Sequence, residues 1–110
     1  MARMPEEALL EHERFELKAK SGGGLLSYEV WGYRRHGAAV VTRYNLAWIN
    51  HAIFASDNGR VLGFDNAHGI HHRHRMGAVE NVGFESFEAT QERFTREWQE
   101  MVNQGKGRKP

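Results

Sequence analysis

The chain has 110 residues and no cysteine, with hydrophobic residues at 40% and charged residues at 26%. That length suits one domain with one modest core, and the composition is that of a folded chain rather than a disordered one. The missing thiols exclude disulfide frameworks, cysteine nucleophiles, iron–sulfur clusters and cysteine-bearing zinc sites. A formal net charge of +1 hides segregation: residues 1–20 sum to −1, 21–76 to +3 with six of the seven histidines, 77–102 to −4, and 103–110 to +3. A basic central surface fits phosphate or an acidic partner, although charges that simply solvate different faces give the same sums. No apolar run approaches the roughly 20 residues that cross a bilayer, and the start is acidic and amphipathic rather than signal-like. The expectation is a soluble, cytoplasmic chain without a membrane partner.

Met4 to Glu13 reads as a short helix, because Glu6, Glu7, Ala8, Leu9 and Leu10 accept that conformation and Pro5 is tolerated in a first turn. Phe15, Leu17 and Ala19 then alternate with Glu16, Lys18 and Lys20 as in a strand with one wet face. Ser21 to Gly24 breaks that strand, and Leu25 to Arg34, with Tyr28, Val30, Trp31 and Tyr33, returns as the second arm of a hairpin. After a turn at Arg34 to Gly37, Val40 to Ile49 forms a third strand. Val40, Thr42, Tyr44, Leu46 and Trp48 lie on its core side, and Arg43 and Asn45 on the other. A bend or bulge is expected near Asn50 and His51. Asn58-Gly59 marks a hairpin into strand four, Arg60 to Asn66.

From Ala67 to Gly83 no period holds, which predicts a long loop. Ser86 then caps an amphipathic helix whose stripe is Phe87, Phe94, Trp98, Met101 and Val102, ending near Gly105. The predicted fold is α+β: a four-stranded, mainly antiparallel meander covered on one face by the C-terminal helix. Residues 1–13 form an N-terminal segment, 14–104 the single domain, and 105–110 a basic disordered tail.

His68, His71, His72, Arg73, His74 and Arg75 fall within eight residues, just after Asp65 and Asn66. Imidazole exchanges protons near neutrality and guanidinium binds phosphate in a bidentate fork. These are the parts needed to cleave RNA without a metal: one group takes the 2′-hydroxyl proton, another protonates the departing 5′ oxygen, and an arginine stabilises the crowded phosphorus. His72 and His74, with His68 beside them, are the candidate acid/base groups. Asp65 is the candidate orienter, and Arg43, Arg73, Arg75 and Asn66 the candidate substrate ligands. A divalent metal on the imidazoles ranks lowest, since a loop lacks a defined ligand geometry and interleaved arginines repel a cation. No metal or cofactor is therefore assigned. A solvated loop docking on an acidic partner fits the same composition. Tyr28, Trp31, Tyr44 and Trp48 fit a core as readily as a base-stacking platform.

The segments Tyr44-Asn45-Leu46-Ala47-Trp48-Ile49, Asp57-Asn58-Gly59-Arg60-Val61-Leu62-Gly63-Phe64-Asp65-Asn66-Ala67-His68-Gly69 and His71-His72-Arg73-His74 resemble the TumE family of bacterial toxin–antitoxin proteins over about residues 26 to 102, the Gly-Phe-Asp-Asn and His-His-Arg-His parts being the specific ones. Phe64 departs from that pattern where tyrosine is common, and the third strand is longer. The resemblance implies a toxin held inactive by a helix-turn-helix antitoxin. It would act on RNA, free or ribosome-associated, as a homodimer or in a toxin–antitoxin hetero-oligomer, with Asp65, Asn66, His68, His72, Arg73 and His74 at matched positions. The expected activity is metal-independent endoribonuclease action; the alternative is a non-catalytic regulatory module docking its His/Arg face on nucleic acid or an acidic protein.

Overall fold

The computed structural model describes residues 6–107. Six strands follow one another in chain order: β1 (Ala8–Glu16), β2 (Leu25–Arg35), β3 (Ala38–Ile49), β4 (Arg60–Asp65), β5 (His72–Arg75) and β6 (Ala78–Asn81). Helix α1 (Phe87–Gly107) comes last. The strands form one sheet in the order β1-β2-β3-β4-β5-β6, every neighbouring pair antiparallel. The α+β meander with a single helix on one face is therefore as expected, but the sheet has six strands rather than four.

The two surplus strands, β5 and β6, lie in the stretch expected to be a loop, and the first strand runs over Ala8–Glu16 where Phe15 to Lys20 was expected, with Ala19–Ser21 forming a 3-10 turn instead. The Met4 to Glu13 helix is replaced by β1, which starts at Ala8; Met4 and Pro5 lie outside the described residues. Its residues are acceptable in a helix, but the long β2 offers a free edge, and pairing from Ala8↔Gly32 to Glu16↔Leu25 satisfies that edge and one side of β1. Strand β5 is the second surprise, because His72-Arg73-His74-Arg75 has no apolar member. It pairs with β4 and turns through Met76-Gly77, both at positive φ (48° and 85°), into β6. Two successive left-handed residues make the tight turn that matches strand twist. The His36-Gly37 turn between β2 and β3 uses the same device, with φ of 50° and 79°. Asn58-Gly59, by contrast, does not join two abutting strands. β3 ends at Ile49, and ten residues pass before β4 begins. A register slip between Trp48 and Ile49 lies just ahead of the expected bend.

Residues directly opposite in an antiparallel sheet share a face, so the register sorts the molecule into two sides. Leu26, Trp48 and Leu62 are aligned across three strands, and Tyr28, Leu46, Phe64 and Arg73 across four. This side meets the helix. Ser86 Oγ accepts the Ala89 N–H at 3.0 Å and so caps α1. Phe94, fully buried, then sits edge-on to Tyr28 and Phe64 at 5.8 and 6.3 Å. Trp98 tilts against Trp48 at 6.4 Å, and Phe87 against Tyr44 at 5.7 Å. Gly24 makes the β1–β2 connection possible: at φ 78°, a Cβ there would lie 2.1 Å from the Ile49 carbonyl oxygen. The helix continues through the expected stop to Gly107; residues 108–110 of the basic tail lie outside the described residues. No described helix is long and apolar enough to cross a membrane.

The helix also carries the anchor for β5. Glu97 accepts from Arg73 at 2.7 Å (Nε) and Arg73 Nη2 approaches at 2.6 Å, while Arg93 donates to its other oxygen at 2.6 Å. Burial pushes the Glu97 carboxyl up, but these two guanidinium groups more than offset it and hold it below its ordinary value of 4.5. The group's stabilisation is therefore complete above that ordinary value and is lost as the pH falls through the lower folded value. Glu97→Gln should cost about 1–3 kcal/mol at pH 7 in urea unfolding, and the gap from the wild type should narrow as the pH is lowered below 4.5.

Candidate functional site

The face turned away from α1 holds the cluster. Its register runs Glu29, Asn45, Asp65, His72, Asn81 in one row and Ser27, Ala47, Gly63, His74, Val79 in the next. Strand alternation thus places His72 and His74 on one side of β5 and Arg73 and Arg75 on the other. Asp65 joins the two imidazoles. Its Oδ2 lies 2.7 Å from His74 Nε2 and its Oδ1 lies 3.4 Å from His72 Nδ1, while Oδ1 also accepts the Ala67 N–H at 3.0 Å. The three side chains are only 12–20% exposed.

Burial raises the Asp65 pKa. The Ala67 N–H, charge on His74 and hydrogen bonds from His72 and His74 outweigh it and hold the carboxyl below its usual range. An ionised Asp65 only accepts, so the nitrogens facing it, His72 Nδ1 and His74 Nε2, carry hydrogen. His72 Nε2 and His74 Nδ1 are then turned away from the carboxylate, on rings whose centroids lie 6.0 Å apart.

Arg60 completes the cluster, and period-2 counting misses it. Counting back from Phe64 assigns Arg60 to the helix side, but the slip in register before Ile49↔Arg60 breaks the alternation. Its side chain folds over Gly63, where a Cβ would lie 2.6 Å from Arg60 Cδ. It donates to Asp57 from Nε and Nη2 at 2.8 and 3.2 Å and brings Nη1 to 3.5 Å from Asp65 Oδ2. The signal available in the sequence is Gly63 itself, a strand glycine that leaves room above the sheet.

The other expected site residues are distributed differently. Arg43 lies on the same face, two positions along β3 from Asn45, where it stacks over Trp31 at 4.1 Å and pairs with Glu7 at 3.2 Å. Arg73 and Arg75 do not join the histidines: Arg73 is bound by Glu97 and by Glu80 at 3.1 Å, and Arg75 lines a shallow groove with Arg96, Glu97 and Glu100 of the helix. His68 is exposed in a turn at φ 60° and has no part in the cluster. Asn66 works on the backbone, accepting the Tyr44 N–H at 3.0 Å and donating to the Thr42 carbonyl at 2.9 Å, so that its side chain prolongs the β3–β4 pairing past Asp65. His71 belongs to the helix side, bonded to the Tyr44 hydroxyl at 2.9 Å and stacked on Phe84 at 4.1 Å. Burial pushes the Tyr44 hydroxyl up to about 12, which keeps it neutral. A groove of about 680 Å³ borders that stack on the helix side and is lined by Phe64, Phe84, Arg93 and Arg96 among others. It does not include the cluster, whose proton-exchanging groups all lie on the opposite face.

The chain matches no protein-family model, no curated protein and no solved structure.

The two asparagine and aspartate roles separate experimentally. Asn66→Ala should lower the unfolding free energy by about 1–2 kcal/mol through its two lost backbone bonds and leave the His72 and His74 imidazole resonances in NMR spectra in place. Asp65→Asn should shift both sets of resonances. Imidazole signals that move with Asn66→Ala and stay with Asp65→Asn would reverse these assignments.

Proposed function

We propose that the protein is the toxin component of a type II toxin–antitoxin pair, an RNA endonuclease that works by proton transfer between His72 and His74 and is neutralised by a helix-turn-helix antitoxin. The observation that carries the catalytic half is Asp65 holding two imidazoles side by side on one face of the sheet, each with one nitrogen facing the carboxylate and the other turned away from it. The resemblance of the Gly63–Gly69 and His71–His74 segments to TumE proteins supports the toxin half.

In this reading an RNA phosphodiester lies across the open face between the two rings. One imidazole, neutral, accepts the proton of the ribose 2′-hydroxyl as that oxygen attacks phosphorus. The other, protonated, delivers a proton to the 5′ oxygen as its bond to phosphorus breaks, leaving a 2′,3′-cyclic phosphate and a free 5′-hydroxyl. Histidine suits both tasks because its ordinary pKa lies near neutrality. Asp65 is the positioning residue: accepting one N–H from each ring fixes the two tautomers and their orientation. The guanidinium groups on the same face are Arg60, held by Asp57, and Arg43, paired with Glu7, and the phosphate backbone would have to compete with these carboxylates for them; they stand in place of the Arg73 and Arg75 expected from the residue order. The Trp31 ring, stacked by Arg43 on the same face, offers an aromatic surface at the margin of the cluster.

Cleavage of a single-stranded RNA in the presence of a chelator tests this directly. His72→Ala and His74→Ala should each lower the rate by at least about 100-fold, with both variants still folded by circular dichroism, and products should carry 2′,3′-cyclic ends. Equal cleavage by wild type and both variants would remove the assignment. Salt-sensitive RNA binding with no turnover by the wild type would favour a docking module instead. In cells, expression should arrest growth unless the adjacent antitoxin gene is co-expressed.

A further inference from the structure

We propose that Asp65, His72 and His74 form a binding site for a divalent transition-metal ion of the zinc type, and that occupancy of this site switches off proton transfer by the two histidines. One donor atom from each residue lies within 4.8 Å of the other two. Three ligands around one ion at about 2.0–2.1 Å are themselves about 3.3 Å apart, so the hydrogen-bonded cluster needs adjustments of under about 1 Å to close on a cation.

Two objections that the residue order raises against a metal do not apply to this geometry. The ligands do not lie in a loop. They stand on paired strands, with Asp65 directly opposite His72 and His74 opposite Gly63, two positions further along the same face. Nor do the interleaved arginines face the ion, since Arg73 is bound by Glu97 and Glu80 behind the sheet. Arg60 is the cation that remains, and its fork is satisfied by Asp57 at 2.8 and 3.2 Å rather than by Asp65 at 3.5 Å.

The donor set chooses the metal. Two imidazoles and one carboxylate favour zinc, nickel or copper over magnesium or calcium, which prefer all-oxygen shells. Side-chain exposures of 12–20% leave a path from solvent and a fourth position for water. Binding requires the carboxylate-facing nitrogens to give up their hydrogens, because metal ligation uses the same lone pairs. A ring held in that way no longer takes up a second proton, so it cannot serve as the acid. The ion and the proton-transfer chemistry therefore exclude each other. The switch rests on the endonuclease reading; the binding site does not.

Zinc added to the 110-residue chain, in competition with a chromophoric zinc chelator, tests the site without any reference to activity. We expect one ion per chain and an increase in unfolding temperature of about 5 °C or more at saturation. His72→Gln and His74→Gln should each weaken binding at least tenfold, and His68→Asn, in the same histidine-rich run but outside the cluster, should not. If either glutamine variant fails to fold, cobalt-loaded wild type provides the second measurement, because nitrogen/oxygen ligation gives characteristic visible bands. Binding that survives both glutamine variants, or no bound zinc, overturns the site. RNA cleavage separates the two claims. Cleavage that stops with zinc and returns with chelator supports the switch, and cleavage that persists at full occupancy overturns it. Zinc held by the cluster with no cleavage in any condition would sink the endonuclease reading and leave the metal site standing.

Discussion

Strand β5 contains no apolar side chain, yet it holds the sheet together beyond β4, and it does so through one largely buried carboxylate on each face. Asp65 grips His72 and His74 from the open side, and Glu97 grips Arg73 from the helix side. Four polar residues gain nothing from the hydrophobic effect, so the ladder bonds to β4 must be supplemented by charge-assisted ones, which are stronger than neutral pairs when partly desolvated. Both carboxyls are held below their usual range despite burial that pushes them up. The placement of the candidate chemistry and the placement of the strand are thus the same problem: whatever fixes β5 also fixes the distance between the two imidazoles.

This arrangement explains why the His/Arg run reads as a loop. Periodicity is legible when one phase is apolar, and in His72-Arg73-His74-Arg75 both phases are polar. The alternation is nevertheless present, with imidazole on one face and guanidinium on the other, and the Met76-Gly77 turn closes the hairpin that would have revealed it. By the same logic β2, β3 and α1 were readable because their buried phases are aromatic and aliphatic: Tyr44, Leu46 and Trp48 fall on the core side as the alternation predicts, and Phe94 and Trp98 meet them from the helix. The N-terminal strand was legible only at its end, from Phe15, and its earlier part was not, because Leu9 and Phe15 remain about half exposed and the strand is held by edge pairing with β2. Edge pairing leaves no local signature in the sequence.

The site was legible in residue type and partly in geometry. His72, His74 and Asp65 converge, and Arg43 reaches the same face. Arg73 does not, because adjacent residues on a strand point to opposite sides; that follows once β5 is known to be a strand. Asn66 carries the chemistry of a ligand but spends both of its polar atoms on the β3 backbone. Arg60 required the register slip, which no counting rule supplies. A polar residue type therefore nominates a candidate, and the hydrogen bonds already committed decide whether it is free to act.

A single carboxylate shared by two histidines also limits what the cluster can do at one time. In separate aspartate–histidine pairs each ring would have its own acceptor, and losing one would leave the other in place. Here the rings are coupled through Asp65, so a change in the protonation or ligation of one alters the field and the hydrogen-bond geometry felt by the other. The two rings lie 6.0 Å apart and share one acceptor. The proposed proton exchange and the proposed ligation therefore draw on the same three side chains, and the choice between them follows from what occupies the space beside Asp65.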